Sequence, residues 1–401
     1  MTPTWDPATF NPHNPAFLAD PYPTYAQFRE HAPISVVQPY GSAWVFRFAD
    51  ARQILDDSVT FLKNPPAGSR APASGLFSMG ANLPIGLFGS DPPRHTELRQ
   101  ILEPLFMEAI APAADVATAT AGQLLAPLQH TARMELVSDY AIPLPSAVLF
   151  TIMGIPSDHW PVLLQWIGTM VAAHDITQSL TLRALGATCA MALNTYFEEW
   201  VLQCRGTPHA GLIGEMCQSI GGPEGLTAED VQVCCSDFAF AGYLSTTFLI
   251  GTGLRHLLEN PDQAALLRAE PTLMHNAVEE MLRYDGPVQV LDRVVATDTE
   301  LGGIPLPAGT KVTAVIGSAN HDPSAFADPD AFRIQRDDAS QLSFGDGIHH
   351  CIGAPLARIV TPIAFTALLE LPSLAVGGLV QWQTDPYLRA MTNFPLSLGA
   401  T

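Results

Sequence analysis

Phe344-Gly345-Asp346-Gly347-Ile348-His349-His350-Cys351-Ile352-Gly353 sets three glycines around one cysteine, just ahead of an apolar run that continues through Leu356 to Leu369. Gly345 and Gly347 can take positive φ and let backbone approach a flat ligand, and Gly353 keeps the side of the first helical turn clear. The pattern predicts a helix that begins at Cys351 and runs through Leu356 and Arg358 towards Leu369. A cysteine at a helix N-terminus lies among unsatisfied N–H groups at the positive end of the dipole, which favours thiolate, the form that binds a metal. Phe344 is placed to shield that sulfur from water. Taken alone, a single cysteine is more often a buried structural residue, and this stretch by itself leaves that alternative open.

Outward from the loop, 401 residues with 47% hydrophobic content are ample for a large core. Thirty-nine acidic residues against 19 Lys and Arg give a net charge of −20, which opposes binding to nucleic acid or an anionic membrane. The opening MTPTWDPATFNPHNPAF is polar and Pro-rich, without the pattern of a secretory leader. The most apolar stretch, 141–156, is interrupted by Pro143, Pro145 and Gly154 and is shorter than the roughly 20 residues of a spanning helix, so it reads as core. Six cysteines without CxxC spacing fit neither a disulfide scaffold nor a zinc site, and a reducing cytoplasm is the expected setting. No composition shift or repeat divides the chain, apart from a Pro-, Gly- and Ser-rich loop at about 64–90, so residues 1–401 are read as a single domain.

Alternation at 43–48 and 311–315 predicts short strands, whereas most of 95–285 shows helical spacing. The expected class is therefore mainly α with a small β portion (α+β). Thr227 with Asp230 three residues on forms a capping box, and no proline follows until Pro261. That allows a helix of about 32 residues, roughly 48 Å long, whose apolar middle from Cys234 to Leu258 requires burial on every side. A second helix, at about 273–284, carries Glu280 and Arg283 at i, i+3, which permits an ion pair.

Phe344 to Arg358 resembles the Phe-Gly-x-Gly-x-His-x-Cys-x-Gly-x-x-Leu-Ala-Arg signature of the cytochrome P-450 superfamily, with no fixed position missing. Other segments resemble the same family in the same order: Asp91 to Arg99, Ala277 to Tyr284 with its Glu-x-x-Arg, and Ala319 to Phe332. The resemblance is to the soluble bacterial branch. It implies a b-type haem under a long central helix, with Cys351 as the thiolate ligand of the iron and Phe344, Gly345, Gly353, Ala241 and Gly242 beside the cofactor. It also implies that His95, Arg99, Arg293 and His349 neutralise the haem propionates, as buried carboxylates require. Glu280 and Arg283 become a structural ion pair, with Arg336 as a third member. The 64–90 loop would cap the substrate, with Leu83 and Phe88 as contacts, and Phe240, Val290, Leu291 and Phe394 would be further contacts.

The sequence departs from this family in the middle of the long helix. Ala241-Gly242-Tyr243-Leu244-Ser245-Thr246-Thr247 resembles the oxygen-binding segment, but Leu244 stands at the usual acid position and Ser245 at the usual threonine. Ser245 keeps a hydroxyl for proton transfer, with Thr246 next to it, whereas Leu244 has no titratable group. Asp237 lies one turn before Ala241 and two before Leu244, on the side expected to face the cofactor. It is read either as a partner for a cationic group on the substrate or as a replacement acid, with a structural hydrogen bond as the alternative.

The resemblance implies a monooxygenase that inserts one oxygen from O2 into a mainly apolar small molecule, with electrons from a separate ferredoxin and its reductase. Arg94 and Arg358 are candidate docking charges for that partner. The altered acid position keeps a peroxide-dependent enzyme, a dehydratase or isomerase, or a nitrene-transfer or coupling enzyme as alternatives, and a non-catalytic haem sensor as a further one.

Overall fold

The Thr227–Asp230 spacing closes as a reciprocal cap: the Thr227 N–H donates to Asp230 Oδ2 at 2.7 Å, and the Asp230 N–H donates to Thr227 Oγ1 at 3.1 Å. From this cap the helix Ala228–Glu259 runs for 32 residues in the computed structural model, which describes residues 6–64, 85–204, 209–222, 225–337, 340–371 and 373–399. Among the described residues it is the one helix long and apolar enough to cross a membrane, yet 78% of its apolar window is buried inside the structure. It is a core helix, as its lack of a polar face requires. Between Val233 and Leu254 only Asp237, Ala241, Gly242 and Ser245 keep accessible surface beyond a trace.

The molecule is mainly α with a small β portion, and its residues form two compact units. The first comprises Met1–Gly75, Arg255–Cys351 and Trp382–Ala390; the second comprises Leu76–Leu254, Ile352–Gln381 and Met391–Thr401. In the first, a five-stranded sheet runs in the order Ile34–Val37, Ser42–Val45, Lys311–Val315, Val290–Val295, Phe61–Leu62. Its one parallel pair sets Ala43 opposite Val312 and Val45 opposite Ala314; the other neighbours are antiparallel. Alternate residues on one face, among them Val45, Phe61, Val295, Val312 and Ala314, pack with Ile54 and Leu55 of the helix Phe48–Asp56. Period-two patterning thus becomes a sheet with one face sealed by a helix.

The second unit is helical. Ala113–Leu125 packs against both Pro143–Met153 and Ala354–Leu369, and Trp160–Ala173 lies along Leu180–Cys204. The apolar stretch read as core is the helix Pro143–Met153, which opens on a proline where no N–H is needed and stops at Gly154 with φ +84°.

One helix boundary differs from expectation. The helix after the glycine loop begins at Ala354, not at Cys351; Ile352 and Gly353 form a turn, and Gly353 is the N-cap. Pro355 in the first turn accounts for the start, since proline is accommodated where intrahelical N–H donors are idle.

Candidate functional site

The glycine loop, in the first unit, leaves at Phe344 and returns at Cys351, whose N–H donates to the Phe344 carbonyl at 2.9 Å. Gly345 and Gly347 have φ of +72° and +65°. At Gly347 a Cβ would also stand 2.8 Å from the Leu55 carbonyl oxygen, so steric room and dihedral both demand glycine there. At Gly345 the dihedral decides, because the nearest neighbours, His349 O and Leu291 Cδ1, would be ordinary contacts at 3.7 and 3.8 Å. Between the glycines, Asp346 accepts from the Gly347 N–H at 2.9 Å and from Arg52 Nε at 2.9 Å, pinning the loop to the helix Phe48–Asp56.

The product is an exposed Cys351, while Cys189, Cys234 and Cys235 are buried and Cys204 and Cys217 half-buried. An exposed cysteine at the end of a braced loop is the reverse of the usual buried one. Among the described residues no group of three or more His, Cys, Asp or Glu is placed to hold a metal ion. A single thiolate donor at the end of the loop suits a metal that brings most of its own ligands, as a porphyrin does. Phe344, His349 and Gly353 are half-buried around the loop. Arg293 is buried in its strand, with Nη1 donating to the Asp292 carbonyl at 2.9 Å; Val290 is buried, and Leu291 packs on the sheet core.

The base of the loop is braced by charge. Glu280 and Arg283 are both buried, and the pair is bidentate at 2.7 and 2.9 Å. Arg336 Nε reaches the same carboxylate at 3.0 Å, and the Arg333 N–H donates to it at 2.8 Å. Arg283 Nη1 continues to the carbonyls of Asn320 and Pro329, both at 2.8 Å. Asn320 then accepts from the Leu342 N–H at 2.9 Å and donates to Ser343 Oγ at 2.9 Å, two residues before the glycine loop. Sequence reasoning found the Glu280–Arg283 spacing but missed Asn320.

In the second unit, Asp237, Ala241 and Ser245 stand at i, i+4, i+8 and form an uncovered strip along a stretch, Val233 to Leu254, that is otherwise buried except at Gly242. Such a strip is what an apolar cofactor and its substrate would cover. Leu244, Phe240, Thr246 and Thr247 are buried, and the Thr247 hydroxyl has no partner. The helix is unbroken through 241–247. Gly242 is turned away from the strip: a Cβ there would meet the Leu149 methyls at 2.8 and 2.9 Å, so its smallness serves the packing of Pro143–Met153.

Asp237 is directed at the turn Leu87–Gly89. Its carboxylate accepts from the Phe88 N–H; burial pushes its pKa up to about 7, against the opposing pull of that amide. The residue keeps some accessible surface, but Oδ2 has none and no hydrogen-bond partner. Phe88 is half-buried, its ring 6.2 Å from and edge-on to Phe238, which stacks on Phe106 at 5.5 Å. His95 is buried in the helix Arg94–Ala109; Arg99, half-buried on the same helix, donates to Glu103 at 2.9 Å. Arg94, a candidate docking charge, is tied to Asp230 and Glu97.

Phe394, expected to contact substrate, is fully buried, with its N–H on Glu135 Oε1 at 2.6 Å and its carbonyl on the Leu136 N–H at 3.0 Å; it has no surface to offer. Leu83 lies outside the described residues, as does most of the 64–90 loop.

The cytochrome P450 family model matches residues 207–376. Over 396 residues the chain is 35% identical to cytochrome P450 monooxygenase PikC of Streptomyces venezuelae, covering 95% of this chain and 91% of that one. It is 31% identical over 400 residues to 6-deoxyerythronolide B hydroxylase of Saccharopolyspora erythraea, covering 96% and 97%. The solved structure of the bacillaene polyketide synthase cytochrome P450 PksS of Bacillus subtilis 168 is similar with a TM-score of 0.87 at 26% identity, covering 97% of this chain and 100% of that one.

Proposed function

The chain belongs to the cytochrome P450 family of haem b monooxygenases, and from that membership we propose a cytoplasmic enzyme that inserts one oxygen atom from O2 into a mainly apolar secondary metabolite, drawing electrons from a separate ferredoxin and its reductase. The observation that carries the reading is the exposed Cys351 at the end of a loop braced by two positive-φ glycines and the buried Glu280–Arg283 pair. Relatives named for a 6-deoxyerythronolide B hydroxylase and a polyketide synthase support the substrate class.

Cys351 would supply the thiolate to haem iron, with Phe344, Gly345, Gly353 and Ala241 beside the ring. His95, Arg99, Arg293 and His349 would pair with the propionates, which need cationic or hydrogen-bonding partners away from water. When bound, haem supplies oxygen activation at the metal, with electron density from the thiolate. Ser245 offers a hydroxyl on the uncovered strip that can hold a proton for transfer, and Leu244 beside it has no proton to give.

Two measurements test this. The reduced holoenzyme under carbon monoxide should show the red-shifted band of thiolate-ligated haem, and Cys351→Ala should lose it. Product should form with NADPH, a surrogate ferredoxin and its reductase. If hydrogen peroxide alone yields product and the reductase chain yields none, the proposed electron source is wrong and the peroxide-dependent reading, which Leu244 favours, replaces it.

A further inference from the structure

The turn Leu87–Gly89 begins at Gly86, which has no side chain to offer the N–H groups at the start of the turn. Its acceptors come from the long helix instead. The Asp237 carboxyl lies against the turn where the Phe88 N–H can reach it, and the Cys234 sulfur lies on the Leu87 side, two side chains one helical turn apart. Gly86 makes the approach possible: a Cβ there would stand 2.2 Å from Asp237 Oδ2 and 3.2 Å from its Cγ. The Ser90 hydroxyl closes the turn on itself, donating to the Gly86 carbonyl at 2.5 Å. So fixed, Phe88 stands edge-on to Phe238, on the residue that follows Asp237 in the helix.

We propose that Asp237 is a positioning residue: its carboxylate caps the Leu87–Gly89 turn from the neighbouring helix, holds Phe88 beside the uncovered strip, and thereby sets the affinity for apolar ligands. It does not deliver protons and does not bind a cationic group on the substrate. Its hydrogen bond is spent on the Phe88 amide, and its other oxygen is pressed against Gly86. The claim about ligands rests on the haem-enzyme reading above; the cap does not.

The test uses the purified holoenzyme and the variants Asp237→Asn and Asp237→Ala. Hydrogen exchange is followed in the peptide spanning 85–93, and absorbance titrations are run with phenylimidazole, which carries an apolar ring, and with imidazole, which does not. Asp237→Ala should speed exchange of the Leu87 and Phe88 amides and weaken phenylimidazole about five- to tenfold, the effect of losing one cap. Imidazole affinity should stay the same. Asp237→Asn keeps a carbonyl acceptor and should stay within about twofold of wild type in both readouts. The proposal is overturned if Asp237→Ala changes neither exchange nor phenylimidazole affinity, if Asp237→Asn is as impaired as Asp237→Ala, or if Asp237→Asn loses turnover with affinity and exchange intact. A wild-type enzyme whose spectrum responds to neither azole would sink the haem reading, and the exchange data would still decide the cap.

Discussion

At the scale of single residues, Asp237 is a carboxyl on the long core helix whose burial opposes its ionisation. Burial raises its folded pKa to about 7, above the roughly 3.9 of an unfolded aspartate. Between those values the folded chain holds a proton that the unfolded chain has released, so the residue's contribution to stability falls as pH rises from about 4 to 7. The neighbouring Cys234 and Cys235 thiols are pushed up by burial and stay neutral throughout. Asp237→Asn removes the titration while keeping the cap. Its stability relative to wild type should therefore climb across that window, by up to roughly 4 kcal/mol, and level off above it. Urea unfolding at pH 5 and pH 8 checks this; an equal difference at both values contradicts it. The sequence showed that a carboxylate here is expensive to bury, but not what it meets. Gly86 and Phe88 lie far upstream, and no periodicity links them to this helix.

At the scale of elements, legibility followed locality. The cap of the long helix and the Glu280–Arg283 spacing are within one turn, so the sequence alone predicted both. It did not predict that Arg283 also holds the carbonyls of Asn320 and Pro329. Those extra bonds make the structural pair a buried fork, which behaves unlike a surface pair worth a few tenths of a kcal/mol. Arg283→Lys should cost about 3 kcal/mol or more, because an ammonium cannot span two carboxylate oxygens and a carbonyl in one plane. Thermal unfolding and haem retention measure it; a variant with wild-type melting would refute the fork. The start of the helix after Cys351 was misplaced by three residues, although Pro355 in its first turn was a readable signal.

At the scale of the whole molecule, the division into two units left no mark on composition, because each unit is assembled from three separated lengths of chain. The first is pinned by Asp285, fully buried, which accepts from Tyr22 at 2.6 Å, Arg389 Nε at 2.9 Å and His256 Nε2 at 2.9 Å. Arg389 and His256 hold that carboxyl well below the usual range despite its burial. Arg389 also donates to the carbonyls of Leu18 and Ala19. A chain ending at Gln381 lacks this arginine and leaves a buried charge without its strongest partner, at a cost of about 3–5 kcal/mol. It should accumulate as aggregate, and soluble yield reads the outcome; a well-folded, haem-loaded truncation would disprove it. The same bond has a consequence in time. Leu18 and Arg389 are 371 positions apart, so at roughly 5–20 residues per second the ribosome delivers the second about 20–75 s after the first. For most of that interval, until Lys311–Val315 is made, the early hairpin Ile34–Val37 and Ser42–Val45 stands with a bare edge. Translation speed and the availability of holding chaperones therefore bear on how much of this enzyme is ever made.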